Sequence, residues 1–377
     1  MIYDVCIIGL GAMGSATSWS LTRKGAHVLA LDQYPPAHEY GSSHGETRII
    51  RSVYFEGDIY TPLVRAAYAA WSAIETEHGQ AFFRQTGGLD LSLKQDGVFE
   101  AALTAAQNGG FEHDVLEGSA IEARFPALDL GGKARAVWAP DSGLLDSDNA
   151  SAWMRDEALR LGAHHTHNTT VSHWRKTRDG FVIHTDKGEH SAKKLVIAAG
   201  AWMGKLLPSL DPVLTPERQV LAWYDAQGPE FDTLPIFQLE TKEAERYYAF
   251  PPHRGAGLKF GLYHHRRERG PDHIAPRGSD SEDERVLLEG LDLCLPGVSR
   301  TPRRMAECRF VLAPDDRFII DTWPDDQDII VLSPCSGHGY KFAPAIGDIA
   351  ADLALERKPG VDISAFSVGR ALNSSSS

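Results

Sequence analysis

The stretch Ile2-Tyr3-Asp4-Val5-Cys6-Ile7-Ile8-Gly9-Leu10-Gly11-Ala12-Met13-Gly14 decides the fold. Residues 2–8 are apolar and β-branched, the composition of a buried strand, and they break at once into a glycine turn followed by a helix-like run through Thr22. Gly9 permits the turn, Gly11 lets a pyrophosphate approach the backbone, and Gly14 lets the helix pack closely on the strand. The helix N-terminus then presents free N–H groups and the positive end of its dipole to phosphates. A second strand, residues 27–31, delivers Asp32, 23 residues after Gly9, where a carboxylate accepts the hydrogen bonds of an adenosine ribose. This unit predicts an ADP-containing dinucleotide and by itself suits NAD and FAD alike.

The remaining chain discriminates between the two. In a simple nicotinamide dehydrogenase, parallel strands and helices would keep alternating from residue 30 onward. Here the loop Tyr40-Gly41-Ser42-Ser43-His44-Gly45-Glu46-Thr47-Arg48-Ile49-Ile50-Arg51 follows almost immediately. Its basic and titratable groups, set among small residues, suit an anionic or electron-rich ligand better than a solvated surface loop. Residues 195–202 read as a second Rossmann-type strand breaking into a small-residue turn beside the dinucleotide. Helical spacing recurs at 60–78, 149–161 and 346–355, and strand-like stretches at 136–138, 170–174, 181–185, 219–224, 247–250, 258–261 and 329–332. Segment 266–284, dense in charge, Pro and Gly, reads as an exposed excursion. The predicted class is α/β in two domains. A Rossmann-type domain is assembled from 1–80, 143–212 and 309–377, and an inserted substrate domain, 81–142 and 213–308, is built on a mixed, largely antiparallel sheet.

The charge balance, 38 Lys and Arg against 51 Asp and Glu, gives a net −13 over 377 residues and argues against a nucleic-acid binder. Apolar runs fall short of the roughly 20 residues a membrane span needs, no secretory segment opens the sequence, and no basic amphipathic helix stands out. The reading is a soluble, cytoplasmic protein. Cys6, Cys294, Cys308 and Cys335 are scattered, with no Cys-x-x-Cys pair or His/Cys cluster, so neither a disulfide framework nor a metal site is expected. The polar run at 373–377 reads as a frayed end and lacks a peroxisomal ending.

Three motifs now stand in order: the glycine turn, the 41–51 loop, and a closing block from Cys308-Arg309-Phe310 to Ser336-Gly337-His338-Gly339-Tyr340-Lys341-Phe342. Together, over essentially the whole chain, they resemble the monomeric sarcosine oxidase and N-methyltryptophan oxidase family of covalent-flavin amine oxidases, within the D-amino-acid-oxidase-like superfamily. The resemblance implies FAD attached through its 8α-methyl group to Cys308, with neighbouring cations favouring the thiolate. It implies a cofactor cradle of Gly9, Gly11, Gly14, Asp32, Ser42, Gly337 and Gly339, with His44 and Arg48 against the isoalloxazine. Lys341 would stabilise charge at the flavin N1/O2 end and, with Arg51, hold the substrate carboxylate. Lys259 matches the family lysine near flavin N5 that acts in the oxygen reaction, and Tyr248, eleven residues before it, would line the pocket and contact the amine.

Two departures bear on the substrate. The family follows its lysine with a short Gly-Tyr-His, whereas this chain reads Gly261-Leu262-Tyr263-His264-His265, one residue longer. His264 is the candidate pocket histidine, although direct counting lands on Tyr263. Phe310 stands where the family often has Tyr, which removes a polar contact and argues against sarcosine itself. The activity implied is oxidation of a secondary amino acid, N-methylated or cyclic, to an imine, with O₂ reduced to H₂O₂. The partners implied are that small molecule and O₂, with no nucleic acid and no membrane, for a monomer. The rival readings are a non-covalent D-amino-acid or glycine oxidase, an NAD-dependent dehydrogenase, and a flavin-bound module without oxidase activity. Joint retention of Arg51, Lys259 and Lys341 opposes the last.

Overall fold

The strand Ile2–Ile8 sits at the centre of a sheet whose parallel neighbours arrive from distant parts of the chain. In spatial order the parallel strands are Asp326–Ser333, Gly188–Ile197, Ile2–Ile8, Val28–Leu31 and His164–Thr166. Such strands are covered on both faces, which is why they read as continuous apolar runs instead of alternating ones. Val5, Ile7, Val28, Ala30 and Val196 point to one face and pack with Trp19, Met154 and Ile346 of the helices Ala12–Arg23, Ser147–Arg160 and Ala343–Ala354. Cys6, Ile8, Leu29, Leu195 and Ile197 point to the other face, against Phe181 and Ile319. This is the two-residue alternation of a strand, and burying the side chain of Ile7 is worth about 1.5–3 kcal/mol. The computed structural model describes residues 1–374; positions 375–377, within the closing serine run, lie outside the described residues.

A second eight-stranded sheet runs Pro302–Leu312, Thr215–Tyr224, Leu258–Tyr263, Arg246–Phe250, Ile236–Glu240, Gly88–Ser92, Arg135–Ala139 and Asp114–Glu117. Every pairing is antiparallel except that of Ile236–Glu240 with Gly88–Ser92. One face carries Val220, Ala222, Phe260, Leu262 and Leu239 into a core closed by Leu287 and Leu291 of the helix Ser281–Cys294. The alternate residues face the opposite side and mix apolar side chains, Leu221, Trp223 and Phe250, with polar ones, Gln238, Tyr248 and Lys259. The 41–51 loop ends in a short strand, Thr47–Ile50, paired with Gly143–Asp146. The fold is thus α/β, a Rossmann-type unit joined to a mixed, largely antiparallel sheet. No helix among the described residues is long and apolar enough to cross a membrane.

The 266–284 excursion is largely exposed, as its composition predicts, but it is anchored at one buried residue, Asp283. Arg218 is fully buried and donates to both oxygens of Asp283, at 2.7 and 3.0 Å, as well as to Glu268 and Glu307. Arg309, equally buried, bonds Glu307 and the Ile274 carbonyl. Buried charges are tolerated where they are mutually paired and hydrogen-bonded, and here the pairing pins the excursion to the strands behind Cys308. Its last residues already belong to the helix, capped by Asp280.

Candidate active site

The glycine turn opens one end of a cavity of about 420 Å³ that extends past Asp32 to Lys259, Cys308 and Lys341. Gly14 lies outside the lining and acts in packing, because a Cβ there would collide with the Gly9 carbonyl. Gly9 and Gly11 line the cavity. Asp32 accepts from the Leu10 N–H at 2.7 Å and the Tyr34 N–H at 2.9 Å, and Ser43 caps the helix by accepting from the Ala12 N–H at 3.0 Å.

The middle of the cavity is assembled from the 41–51 loop. Ser42 bonds the Arg309 carbonyl, tying the loop to the strand that carries Cys308. Arg48 donates to the carbonyls of Ser42, His44 and Thr47, so its guanidinium holds the loop's shape. His44 is 7% exposed, and neither ring nitrogen has a partner. Burial, then Arg48 and Lys259, push it down to about 3, so it is neutral at physiological pH. A buried imidazole facing a cavity with both nitrogens unmet fits a ligand that supplies the missing partners.

The roof is one face of the second sheet. On its strand, Lys259, Gly261 and Tyr263 alternate onto the cavity side, and Tyr248 and Phe250 do so on the neighbouring strand. Lys259 is 3% exposed; its ammonium donates to the Gly45 and Thr47 carbonyls at 2.9 and 2.6 Å and stands over the Phe250 ring. Burial, reinforced by Arg48, drives it well below the ordinary lysine range. Burial lifts the Tyr248 phenol, keeping it protonated. The same alternation corrects the choice of His264. The strand ends at Tyr263, the backbone turns left-handed at His264 (φ 61°), and its ring bonds Glu217 at 2.7 Å, outside the cavity. Tyr263 takes the wall position and donates to the Ser336 carbonyl, with Phe310 tilted against it. Counting in twos from Lys259 finds Tyr263; matching the residue type does not.

At the far end lie two buried cations. Arg51, 3% exposed, donates from Nη2 to both oxygens of Glu56 at 2.6 Å and from Nη1 to the Val53 carbonyl at 2.8 Å. Its Nε–H is buried without a partner. Lys341 donates to the His338 carbonyl at 2.7 Å, and the Trp71 indole holds the Lys341 backbone. Burial, then Arg51, lower Lys341 to about 7 although Glu56 opposes the shift. Burial would raise Glu56, but Arg51, with His338 and Lys341, holds it near 2. Sequence reasoning missed Glu56; the signal available was an acid five residues after Arg51 in an otherwise apolar run. Gly337 (φ 79°) and Gly339 complete this wall, and a Cβ on Gly337 would strike the Tyr263 and Phe310 rings.

Cys308 lies in the same cavity, buried with Leu221, Trp223 and Phe310. Against the expectation of a favoured thiolate, burial raises its thiol, with Arg48, Arg309 and Lys259 pulling the other way. A second thiol, Cys335, also lines the cavity and accepts from the Val311 N–H at 3.3 Å. Among the described residues no group of three His, Cys, Asp or Glu could hold a metal ion.

The glycine turn, the Asp32 carboxylate and the unmet His44 ring fit an FAD. The chain is 34% identical over 375 residues to the monomeric sarcosine oxidase of Bacillus sp. (strain NS-129), covering 98% of this chain and 97% of that one. It is 35% identical over 373 residues to the N-methyl-L-tryptophan oxidase of Yersinia pestis (strain Pestoides F), covering 98% and 100%. In fold it matches the open form of NikD, an amino acid oxidase essential for nikkomycin biosynthesis, at a TM-score of 0.86 and 24% identity over 97% of each chain. Glycine oxidase from Geobacillus kaustophilus matches at 0.82 and 19%, over 97% of this chain and 98% of that one. With the family model for FAD dependent oxidoreductases matching residues 4–353, the chain belongs to the DAO family of FAD-dependent oxidoreductase enzymes.

Proposed function

We propose that the protein oxidises secondary amino acids at the C–N bond and reduces O₂ to H₂O₂. The observation that carries this reading is the pair of buried cations, Arg51 and Lys341, in the cavity that begins at the glycine turn. The two cations stand 4.7 and 5.0 Å from the centre of the Tyr54 ring; Glu56 bonds Arg51 and Asp90 stands 4.0 Å from it, while among the described residues no carboxylate pairs with Lys341. A substrate carboxylate would be the anion that joins the two, taking the free Nε–H of Arg51 and the ammonium of Lys341.

FAD, when bound, would take up the two electrons released with the C–H hydrogen as the C–N single bond becomes an imine, and pass them to O₂. The protein's share is to orient and to manage protons. Arg51 and Lys341 fix the carboxylate, and Tyr248, protonated and half-buried, offers its hydroxyl to the amine. An ammonium has no lone pair to support the developing iminium, so the bound amine must be neutral and the rate rises with pH until it is. Lys259, its proton loosened by burial and by Arg48, supplies positive charge and then a proton to oxygen as oxygen is reduced. For an N-methyl substrate the balance is R–NH–CH₃ + O₂ + H₂O → R–NH₂ + HCHO + H₂O₂; a cyclic imino acid leaves as the ring imine.

We also assign a thioether between Cys308 and the flavin. Arg48, Arg309 and Lys259 around this thiol support it, since they lower the cost of the thiolate that must form the bond. The family resemblance further favours a cytoplasmic monomer.

The test is acid precipitation of the purified holoenzyme together with a peroxide assay. Flavin colour that stays with the pellet, and moves to the supernatant in Cys308→Ala, is the expected result. Colour in the supernatant of the parent enzyme would remove the thioether and favour a non-covalent amino-acid oxidase. Absence of peroxide from every N-methyl or cyclic amino acid would sink the oxidase reading.

A further inference from the structure

The two cations assigned to the carboxylate share one aromatic ring. Tyr54 lies three residues after Arg51 and is 1% exposed. The guanidinium of Arg51 stands 4.7 Å from the centre of its ring, and the ammonium of Lys341 stands 5.0 Å from it. Phe55 also meets Arg51 and Phe342 also meets Lys341, but among the described residues no other ring meets both. A desolvated cation gains most from a ring face, because the ring's negative face replaces part of the lost hydration.

The tip of the same side chain reaches Lys341 by a second route. The Tyr54 hydroxyl and Nδ1 of His338 share a hydrogen bond of 2.5 Å, and the His338 carbonyl accepts from the Lys341 ammonium at 2.7 Å. Burial pushes His338 down to about 3 although Glu56 opposes it, with Lys341 and Arg51 adding to the fall, so the ring is neutral and brings no third cation. Burial, with Glu56 adding and Arg51 opposing, lifts the Tyr54 phenol, which keeps its proton. The other charged groups facing Lys341 are Arg51 and Glu56, from the loop after the Thr47–Ile50 strand, and Asp90, from Gly88–Ser92. Among the described residues neither carboxylate pairs with Lys341, since Glu56 bonds Arg51 and Asp90 stands 4.0 Å from that guanidinium. Tyr54 does not line the cavity, so it can act on a bound molecule only through the residues it holds.

We propose that Tyr54 is a positioning residue: its ring holds the Lys341 ammonium beside Arg51, and its hydroxyl, through His338, fixes the carbonyl that aims that ammonium, so that both cations meet one substrate carboxylate. The proposal rests on the reading of Arg51 and Lys341 as the carboxylate anchor. The two parts of the side chain have separable effects. Without the ring, Lys341 loses electrostatic support and gives up its proton at a lower pH. Without the hydroxyl, Lys341 keeps its charge but is less well aimed. Both effects fall on the carboxylate and neither touches the C–N bond that is oxidised.

The test follows KM and kcat against pH for the N-methyl amino acid that gives most peroxide, in the holoenzyme and in Tyr54→Leu, Tyr54→Phe and Lys341→Met, with flavin content measured in each. In Tyr54→Leu we expect KM at pH 8 to rise by about tenfold or more and kcat to stay within about threefold. The pH at which KM begins to climb moves down by about one unit. Tyr54→Phe keeps that pH and raises KM by about 2- to 5-fold. An unmoved pH in Tyr54→Leu at parental flavin content overturns the proposal, as does a loss confined to kcat. Should Tyr54→Leu fail to fold, phenylalanines carrying none to three ring fluorines, placed at position 54, keep the ring's shape while draining its negative face. A stepwise fall of that pH with fluorine number is expected, and no trend overturns the proposal. An unchanged KM in Lys341→Met, or peroxide from no N-methyl amino acid, overturns the anchor reading itself. A raised KM in Lys341→Met without the fluorine trend overturns the part given to Tyr54 alone.

Discussion

At the end of the cavity that begins with Gly9, the groups offered to a ligand are backbone N–H groups, a helix terminus and one carboxylate. At the end that holds Arg51 and Lys341, they are side chains carried on a loop, a strand of the roof sheet and the closing block. The first kind of site depends on where the chain can pass and is nearly indifferent to pH. The second depends on charges taken out of water and balanced against each other, so it is sensitive to single residues and to protons. One end recognises what every member of such a fold binds; the other is free to change its substrate.

If the dinucleotide end is a matter of chain path, Gly14→Val strikes it hardest. The new side chain meets the Gly9 carbonyl, and we expect a loss of about 3 kcal/mol or more in urea unfolding together with loss of bound flavin. At the charged end, Arg51→Met leaves Glu56 buried without its partner, and kcat/KM for an N-methyl amino acid falls by about 10³-fold, chiefly through KM. Comparable flavin content in the two variants would break the distinction between the ends.

The proton sensitivity has a definite sign. Lys341 is lowered from 10.5 to about 7 in the folded protein, so between those values the unfolded chain holds more protons and this residue's contribution to stability rises with pH. Its ability to hold a carboxylate falls over the same window. KM therefore rises above pH 7, by up to about tenfold per unit, and Lys341→Arg flattens the profile. The smallest effect separates two neighbours: Tyr263→Phe, which loses the bond to the Ser336 carbonyl, lowers kcat/KM by about 3- to 10-fold, while His264→Gln changes it by less than about twofold.

The same contrast explains what could be read in advance. Residues 2–32 announce their strand, turn, helix and acid because the glycine spacing is a local geometric requirement. The helices Thr61–His78, Ser147–Arg160 and Ala343–Ala354 lie within three residues of their periodicity. The roof is different. Asp90, Gln238, Tyr248 and Lys259 are brought to one face by strand pairings over 170 residues of chain, and no local pattern encodes that. His264 was misplaced because residue type was preferred to strand alternation. The 266–284 segment is exposed as read, but the anchoring of Glu268 and Asp283 could not be foreseen, because their partner Arg218 is remote in sequence.

The central strand has one more consequence, for the order in which the protein is made. Ile2–Ile8 is made well before one of its two neighbours, Gly188–Ile197, which appears about 190 residues later, and that neighbour's own partner ends at Ser333. At a synthesis rate of roughly 5–20 residues per second, the nascent strand has an unpaired edge for many seconds. The glycine turn is complete long before the wall that holds Lys341 exists, so the flavin can be enclosed only after that wall has been made. Retention of the cofactor is then decided by segments made late, those carrying Cys308 and Lys341, although its recognition is written near Gly9.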